Sequence, residues 1–155
     1  IMKSGSKIMS LIDGSRKMSK SDPNEGSRIN LLDTPEIISK KIKRAKSDSY
    51  IGLEFNNPER PESRNLLMIY SILSGKDISQ CENEFSETGW GTFKKLITEQ
   101  LIESLTPIQE KYKILINDPH QLNNILIKGK ERADDLAQKT LKRVKSKLGF
   151  FEMEK

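Results

Sequence analysis

The sequence predicts a mainly α-helical protein that begins with one short strand and a lysine-rich loop. After residue 34, apolar residues recur every three or four positions over most of the chain, which is the spacing of amphipathic helices. Residues 8–12 form a short apolar run that ends in a turn, as a buried strand of a parallel sheet does. Hydrophobic residues make up 34% of the chain and charged residues 32%, a balance typical of helical modules with wide solvated faces.

The composition narrows the function classes that need to be considered. The chain has no apolar run long enough to span a membrane and no secretory signal pattern. With one cysteine, Cys81, and one histidine, His120, the sequence offers no internal disulfide and little support for a metal site. We therefore expect no membrane association and no metal held by protein side chains. The expected compartment is the cytoplasm, or an organelle matrix if the source is a eukaryote.

The loop at residues 17–21 reads Lys-Met-Ser-Lys-Ser and lies between Asp13-Gly14 and Asp22-Pro23-Asn24. These flanks are turn sequences, because glycine adopts positive φ and aspartate and asparagine hydrogen-bond their own backbone. The two lysines, three residues apart, provide movable positive charges, and the serines provide short hydroxyl donors. This combination suits a polyphosphate, whereas the alternative interpretation is a solvated turn.

Residues 17–21 resemble the KMSKS signature of class I aminoacyl-tRNA synthetases. With the Gly-Ser-Lys-Ile-Met-Ser-Leu run at 5–11 and the Asp-Pro-Asn that follows, the segment is similar to bacterial and organellar tryptophanyl-tRNA synthetases. Residues 42–49, 65–70 and 107–112 also resemble the C-terminal half of that family, in the same order. The resemblance implies a helical anticodon-side module joined to the last strand or strands and KMSKS loop of a Rossmann-type class I catalytic domain.

The resemblance also implies a reaction, in which tryptophan is activated with ATP and transferred to its tRNA, tRNA(Trp). Charge develops on the departing pyrophosphate, so cations placed there stabilise the transition state. Lys17 and Lys20 are the expected catalytic cations, and Mg²⁺ is expected to share the charge. The ATP-binding residues that the resemblance implies are Ile8, Lys17, Met18, Ser19, Lys20 and Ser21, with Ile8 acting through its backbone.

By the same resemblance, the segment that binds adenine and tryptophan would precede residue 1. We therefore expect a C-terminal fragment that is inactive alone, and a homodimer in the complete enzyme. The expected divisions are 1–32 for the end of the catalytic domain, 33–117 for the helical tRNA-side domain and 118–155 for a C-terminal helix. The strand at 8–12 supports this view, because one strand alone cannot bury both of its faces.

The first predicted helix follows Asp33 or Thr34 as its cap and has Pro35 at its first position. Residues 28–32, just before it, are a second extended candidate. The apolar face of the helix is predicted to comprise Ile38, Ile42 and Ala45. The opposite, solvated face is predicted to carry Lys40, Lys41, Lys43, Arg44 and Lys46.

The middle of the chain is predicted to contain a loop and two helices. Glycine, asparagine and proline interrupt the periodic pattern between residues 47 and 63. A strongly apolar helix at 62–74, ended by Gly75, is predicted to be the centre of the module. Asp77 and Gln80 have the spacing of a capping box, and the helix that they start places Cys81 in the core.

The last third of the chain is predicted to form two long helices. The Gly-Trp-Gly-Thr sequence at 89–92 is predicted to interrupt the chain before the first of them, with Trp90 as a hydrophobic plug and base stacking as its alternative role. Pro107 is predicted to kink that helix. The second helix is predicted to restart at Asp118 and to end at Gly149.

Charge is distributed unevenly along the chain. Residues 1–46 carry eleven lysines and arginines against five acidic residues, residues 47–121 carry seven against twelve, and residues 122–148 carry eight against three. Two basic segments that flank an acidic one favour a polyanion contacted at two places, although lysine-rich helix faces are also simply soluble. The expected tRNA-binding residues are Lys40, Lys43, Arg44, Lys139 and Arg143.

Two alternatives to the ligase interpretation stay open at this point. The first is a helical tRNA-binding module in which the lysine loop has no catalytic role. The second is a tyrosyl-tRNA synthetase, a related family whose signature loop usually lacks the Met-Ser pair at residues 18 and 19.

Overall fold

The computed structural model describes residues 7–150, and the fold below refers to that part of the chain. It contains five α-helices and one short 3₁₀ helix, so the prediction of a mainly helical protein is confirmed. The α-helices are α1 (Pro35–Arg44), α2 (Pro61–Ser74), α3 (Ile78–Glu84), α4 (Trp90–Ile116) and α5 (Pro119–Leu148), and the 3₁₀ helix spans Glu25–Ser27. None of the helices within residues 7–150 is long and apolar enough to cross a membrane.

The chain divides into two compact units, of which the first ends at Gln109 and the second begins at Glu110. The first unit holds the lysine loop, α1 to α3 and most of α4. The second unit holds the end of α4 and all of α5, in which no residue is buried. The domain boundaries expected at residues 33 and 118 remain predictions.

The strand predicted at residues 8–12 is absent from the described part of the chain. Met9 and Lys17 instead make an isolated antiparallel bridge. The amide of Ser10 donates to the carbonyl of Arg16 at 2.8 Å, so the apolar run pairs with the loop that follows it. The amide of Leu11 donates to the carbonyl of Ser27 at 2.9 Å, and the amide of Lys46 donates to the carbonyl of Leu11 at 2.8 Å. These are single bonds to two different segments, so among the described residues no ladder extends beyond the one bridge.

The second extended candidate, residues 28–32, is also wrong, because residues 31 and 32 form a turn. The amide of Asp33 donates to the carbonyl of Asn30 at 3.1 Å, and the amide of Asn30 donates to Asp33 Oδ2 at 2.9 Å. Local side-chain bonds of this kind compete with strand pairing. Asn30 and Asp33, three residues apart, therefore close a turn where the sequence suggested an extended segment.

The predicted helix ends are largely confirmed. The Thr34 hydroxyl accepts from the amide of Ile37, and Asp77 forms a complete capping box with Gln80. Gly75 and Gly149 end α2 and α5 in the left-handed conformation, at φ 70° and 72°. The interruption predicted at 89–92 is wrong in extent, because α4 already begins at Trp90.

The core of the first unit is built from all four of its helices and the two segments that connect to them. An aromatic group lies at its centre, where the Phe85 ring meets Tyr70 at 5.0 Å and Phe93 at 4.8 Å, edge to face in both cases. Cys81 is fully buried beside them, and burial raises the pKa of its thiol, as expected of a core residue. The remaining buried apolar residues are Leu11, Ile38, Ile42, Ala45, Leu53, Leu66, Leu67, Ile97 and Leu101.

Candidate functional site

The lysine loop is attached to helix α2 through one buried amide side chain. Asn65 Oδ1 accepts from the amide of Met9 at 2.9 Å, and Asn65 Nδ2 donates to the carbonyl of Met9 at the same distance. Met9 lies opposite Lys17 in the antiparallel bridge. Because one side chain satisfies both backbone groups of Met9, the strand-like arm that carries the loop is fixed relative to α2.

The turn at the start of the loop packs directly on the first residues of α2. The amide of Gly14 donates to Glu62 Oε1 at 3.3 Å, and a Cβ at Gly14 would lie 2.7 Å from the backbone nitrogen of Glu62. Asp13 closes the turn by accepting from the hydroxyl of Ser15 at 2.6 Å and from its amide at 3.0 Å. The close approach therefore requires a glycine at position 14.

Glu62 also links the loop to the segment that follows α1. Its Oε1 lies 2.9 Å from Lys46 Nζ, while the amide of Lys46 donates to the carbonyl of Leu11 at 2.8 Å. Burial alone would raise the pKa of Glu62, but the Lys46 ammonium and the amides of Gly14 and Glu62 itself outweigh it and hold the pKa below its ordinary value. Glu62 is therefore a charged anchor beneath the turn.

The tip of the loop is held by short-range hydrogen bonds. The hydroxyls of Ser19 and Ser21 lie 3.1 Å apart, and the amide of Ser21 donates to Ser19 Oγ at 3.3 Å. The carboxylate of Asp22 accepts from the amide of Asn24 at 2.8 Å. These contacts give the exposed tip a defined shape, in which the hydroxyls on either side of Lys20 lie close together.

A chain of polar contacts runs from the tip to helix α1. Arg28 donates from one guanidinium nitrogen to the carbonyl of Asp22 at 2.8 Å and from Nε to Asn30 Oδ1 at 3.1 Å. Asn30 bonds to Asp33, whose Oδ2 lies 2.6 Å from Lys41 Nζ. Burial alone would raise the pKa of Asp33, but hydrogen bonds from Lys41 and Asn30 outweigh it and lower the pKa. The second arm of the loop is thereby braced against α1.

The residues predicted to bind ATP lie together on this loop. Lys17, Ser19, Lys20 and Ser21 are exposed, and neither lysine has an ion pair among the described residues. Met18 is half-buried and packs against the core, which separates the two lysines. The half-buried Ile8 accepts from the amide of Met18 at 3.0 Å through its carbonyl oxygen. These contacts leave the two ammonium groups directed to solvent from a fixed base.

The residues predicted to bind tRNA lie in both units. Lys40, Lys43 and Arg44 are exposed on α1 in the first unit, and Lys139 and Arg143 are exposed on α5 in the second. The solvated face predicted for α1 was wrong for Lys41, which is 9% exposed because it pairs with the buried Asp33. Lys46 is exposed but is paired with Glu62.

Sequence reasoning missed the residues that position the loop. Asn65, Glu62 and Arg28 contact it, and two of them do so from 48 or more residues away along the chain. The available signal was the presence of polar residues, among them Glu62 and Asn65, on a helix that the sequence predicts to lie in the core. Buried polar side chains need hydrogen-bond partners, so their position on that helix indicates a backbone to which they attach.

The comparison with known protein families agrees with this arrangement. The family described as tRNA synthetases class I (W and Y) matches residues 1–106, which include the lysine loop and α1 to α3. The chain belongs to this family. No group of three or more side chains able to hold a metal ion lies among residues 7–150.

Individual members of the family refine this assignment. The chain is 79% identical over 155 residues to a tryptophan–tRNA ligase of Prochlorococcus marinus subsp. pastoris and 60% identical over 152 residues to that of another Prochlorococcus marinus strain. These matches cover 100% and 98% of this chain, but 46% and 45% of the two relatives. The similarity supports the tryptophanyl interpretation and not the tyrosyl alternative.

A solved structure of the same family has a similar fold. The crystal structure of tryptophanyl-tRNA synthetase from Mycoplasma pneumoniae superposes with a TM-score of 0.81 at 30% sequence identity. The superposition covers 94% of this chain and 46% of that one. The chain thus spans about half the length of the relatives that it matches.

Proposed function

We propose that the chain supplies the pyrophosphate-side lysine loop and the tRNA-contacting helices of a tryptophan–tRNA ligase, as its C-terminal half. The complete ligase would join tryptophan to tRNA(Trp) at the expense of ATP. Support comes from the similarity to proteins named tryptophan–tRNA ligase over the whole of this chain. The binding-module alternative gives no role to a loop whose base is fixed by several hydrogen bonds.

The observation that carries the proposal is the placement of Lys17 and Lys20 on a loop anchored at both arms. Asn65 and Glu62 hold the first arm, and Arg28 holds the second. When the carboxylate of tryptophan attacks the α-phosphate of ATP, negative charge grows on the departing pyrophosphate. Cations that already lie in position stabilise this charge with little reorganisation, which lowers the barrier.

The chemistry of the loop suits the β- and γ-phosphates of ATP. Lysine ammonium groups and serine hydroxyls both donate to phosphate oxygens, and the hydroxyls of Ser19 and Ser21 lie 3.1 Å apart at the tip. A bound Mg²⁺ would neutralise part of the phosphate charge. We propose that the phosphates themselves supply ligands to this ion.

The remaining parts of the proposal concern partners. Lys40, Lys43 and Arg44 on α1, with Lys139 and Arg143 on α5, would contact tRNA phosphates, because all five side chains are exposed. The complete ligase is proposed to be a homodimer, as the family resemblance implies. Cytoplasm, or an organelle matrix in a eukaryote, is the proposed compartment.

Pyrophosphate exchange by the complete ligase that contains this chain tests the catalytic proposal. Lys20→Ala should lower the rate of adenylate formation on the order of 10²–10³-fold while tryptophan affinity changes little, because a leaving-group cation acts in the transition state. Lys20→Arg, which keeps the charge, should recover part of the loss. Lys113→Ala, a change of another exposed lysine, is the control.

Two results would contradict the proposal. One is a Lys20→Ala rate within a few-fold of the parent in single-turnover experiments. The other is a loss of the same size in Lys113→Ala, which would indicate a general effect of removing surface charge.

A further inference from the structure

A groove between α1 and α4 has no part in the proposed catalytic loop. Its volume is about 560 Å³, within the range of small-ligand sites. We call it the Trp90 groove. Its lining residues are Ser39, Lys43, Trp90, Gly91, Lys94, Lys95, Thr98, Glu99 and Ile102.

Trp90 is held in one orientation at the edge of this groove. Its indole Nε1 donates to Asp48 Oδ1 at 3.0 Å, and its ring meets Phe93 edge to face at 6.3 Å. Asp48 is in turn fixed by Arg60, which donates to both carboxylate oxygens at 2.8 and 3.0 Å and is 2% exposed. Trp90 is nevertheless only half-buried, so part of an oriented aromatic ring faces the groove.

The charge of the groove is mainly positive. Lys94 Nζ lies 5.9 Å from the Trp90 ring centroid, and it donates to the carbonyl of Ala45 at 2.6 Å and to Ser47 Oγ at 3.2 Å. The side chains of Lys43 and Lys95 are exposed, and neither forms an ion pair among the described residues.

One carboxylate and two hydroxyls complete the lining of the groove. Glu99 supplies the carboxylate of the groove, and Ser39 and Thr98 supply hydroxyls. The Thr98 hydroxyl already donates to the carbonyl of Lys94 at 2.6 Å, so its oxygen is left as an acceptor. The groove therefore combines an aromatic surface, two unpaired cations and several hydrogen-bonding groups.

We propose that the Trp90 groove binds one unpaired nucleotide of RNA, with the base on Trp90 and the flanking phosphates at Lys43 and Lys95. Aromatic side chains bind bases that are splayed out of a helix, and lysines beside them follow the backbone. Glu99 and Ser39 would then contact the polar edge of the base. This inference rests on the proposed tRNA binding, in which Lys43 already takes part, and adds to it a base-binding site formed with Trp90 and Lys95 of α4.

Fluorescence provides a direct test, because Trp90 is the one tryptophan of the chain. The chain is titrated with three RNAs: a hairpin with a loop of about seven unpaired nucleotides, a duplex with a four-nucleotide 3′ overhang, and a blunt duplex with the same stem. Stacking of a base on Trp90 should quench its emission with either of the first two RNAs. The one that quenches more identifies the source of the nucleotide.

Variants separate the groove from the general basic surface. Lys95→Gln should weaken binding of the quenching RNA and lower the slope of log affinity against log salt by about 0.7, the value for one phosphate of a single strand. Lys111→Gln, which changes an exposed lysine outside the groove, should leave binding of the same RNA unchanged. Trp90→Ala should weaken binding roughly 5- to 150-fold, and Trp90→Tyr should restore most of it.

The proposal is overturned if the blunt duplex quenches as strongly as the other RNAs, or if no RNA quenches. It is also overturned if Lys95→Gln and Lys111→Gln behave alike, a comparison that stays informative even if Trp90→Ala fails to fold. These outcomes are independent of pyrophosphate exchange, so a failed Trp90 groove leaves the Lys20 result standing. Conversely, an inactive lysine loop would not alter the quenching.

Discussion

Asn65 on α2 and Met9 on the first arm of the lysine loop exchange two hydrogen bonds, each 2.9 Å long. A side-chain amide here replaces the neighbouring strand that would otherwise pair with this backbone. Since Met9 is bridged to Lys17, a displacement of Asn65 would also move the backbone at the first lysine of the signature. Helix α2 thus positions the loop as well as contributing to the core.

We expect Asn65→Ala to destabilise the chain by about 1–3 kcal/mol, because the amide and carbonyl of Met9 would lose their buried partner. In the complete ligase, the same change should lower the rate of adenylate formation more than tryptophan affinity. Urea unfolding and pyrophosphate exchange measure the two effects. Asn56→Ala, at an exposed position, is the control, and equal stability of the two variants would contradict the anchoring role.

Two glycines are expected to respond in opposite directions to the same substitution. Gly14→Ala should destabilise the chain by about 1–3 kcal/mol, because its Cβ would lie 2.7 Å from backbone atoms of Pro61 and Glu62 that cannot move independently. Gly129→Ala should stabilise α5 by about 0.5–1 kcal/mol, since no atom lies within 4 Å and alanine favours helices. Thermal unfolding measures both. A neutral Gly14→Ala would show that the turn is not packed on α2.

The free energy of unfolding should fall at acidic pH, where Glu62 becomes protonated and loses its charge. The pKa of Glu62 in the folded chain lies below its ordinary value of about 4.3. The stabilisation that its charge gives to the folded chain is therefore complete above about pH 4.3 and is lost as the pH falls through the pKa of the folded state. The stability difference between the parent chain and Glu62→Gln should therefore be largest near neutral pH and should shrink in strong acid. Urea unfolding at pH 7 and pH 3 measures it, with the exposed Glu59→Gln as control. A difference that does not change with pH would contradict the role of the charge.

Local features of the fold could be predicted from sequence, whereas the attachment of the loop could not. Thr34, Asp77 and Gly75 act on residues within four positions of themselves, so their spacing was sufficient to place helix ends. Asn65 contacts Met9 across 56 positions, and a periodic pattern carries no information about such a pairing. Lys41 was predicted to lie on the solvated face of α1, because the helical spacing does not indicate that its ammonium group pairs with the buried Asp33.

The buried pair of Lys41 and Asp33 gives a further prediction. Lys41→Met should destabilise the chain by about 3–5 kcal/mol, because Asp33 would remain buried without its partner. Adding Asp33→Asn should recover part of that loss, since an amide oxygen can still accept from the Asn30 backbone without carrying a charge. A double-mutant cycle by urea unfolding measures the coupling, with Lys40→Met at an exposed position as control. An additive cycle would contradict the pairing.

Four of the basic residues of α5 lie on one face of the helix. Lys128, Arg132, Lys139 and Arg143 follow one another at spacings of four, seven and four residues, which keep side chains on the same face of a helix. All four side chains are exposed, and no ion pair occupies them among the described residues. Lys130 and Lys145 lie on the other side of the helix, and Lys130 is paired with Asp134 at 3.0 Å. One face of α5 therefore carries four cations along about 22 Å, at 1.5 Å per residue, and Asp135 lies on the same face between Arg132 and Lys139. We call this face the stripe.

We expect this stripe to contact tRNA phosphates, so the affinity of the chain for tRNA(Trp) should fall steeply with salt. Replacing Lys139 and Arg143 by glutamine should reduce the slope of log affinity against log salt by about 1.8, since each phosphate neutralised on duplex RNA contributes roughly 0.9. The matched control replaces Lys130 and Lys145, which removes the same charge from the other side. Filter binding across a salt series measures both slopes, with an unrelated tRNA as a second ligand. Equal slopes for the two double variants would mean that net charge and not the stripe attracts RNA, and equal affinity for the two tRNAs would reduce the contact to non-specific attraction.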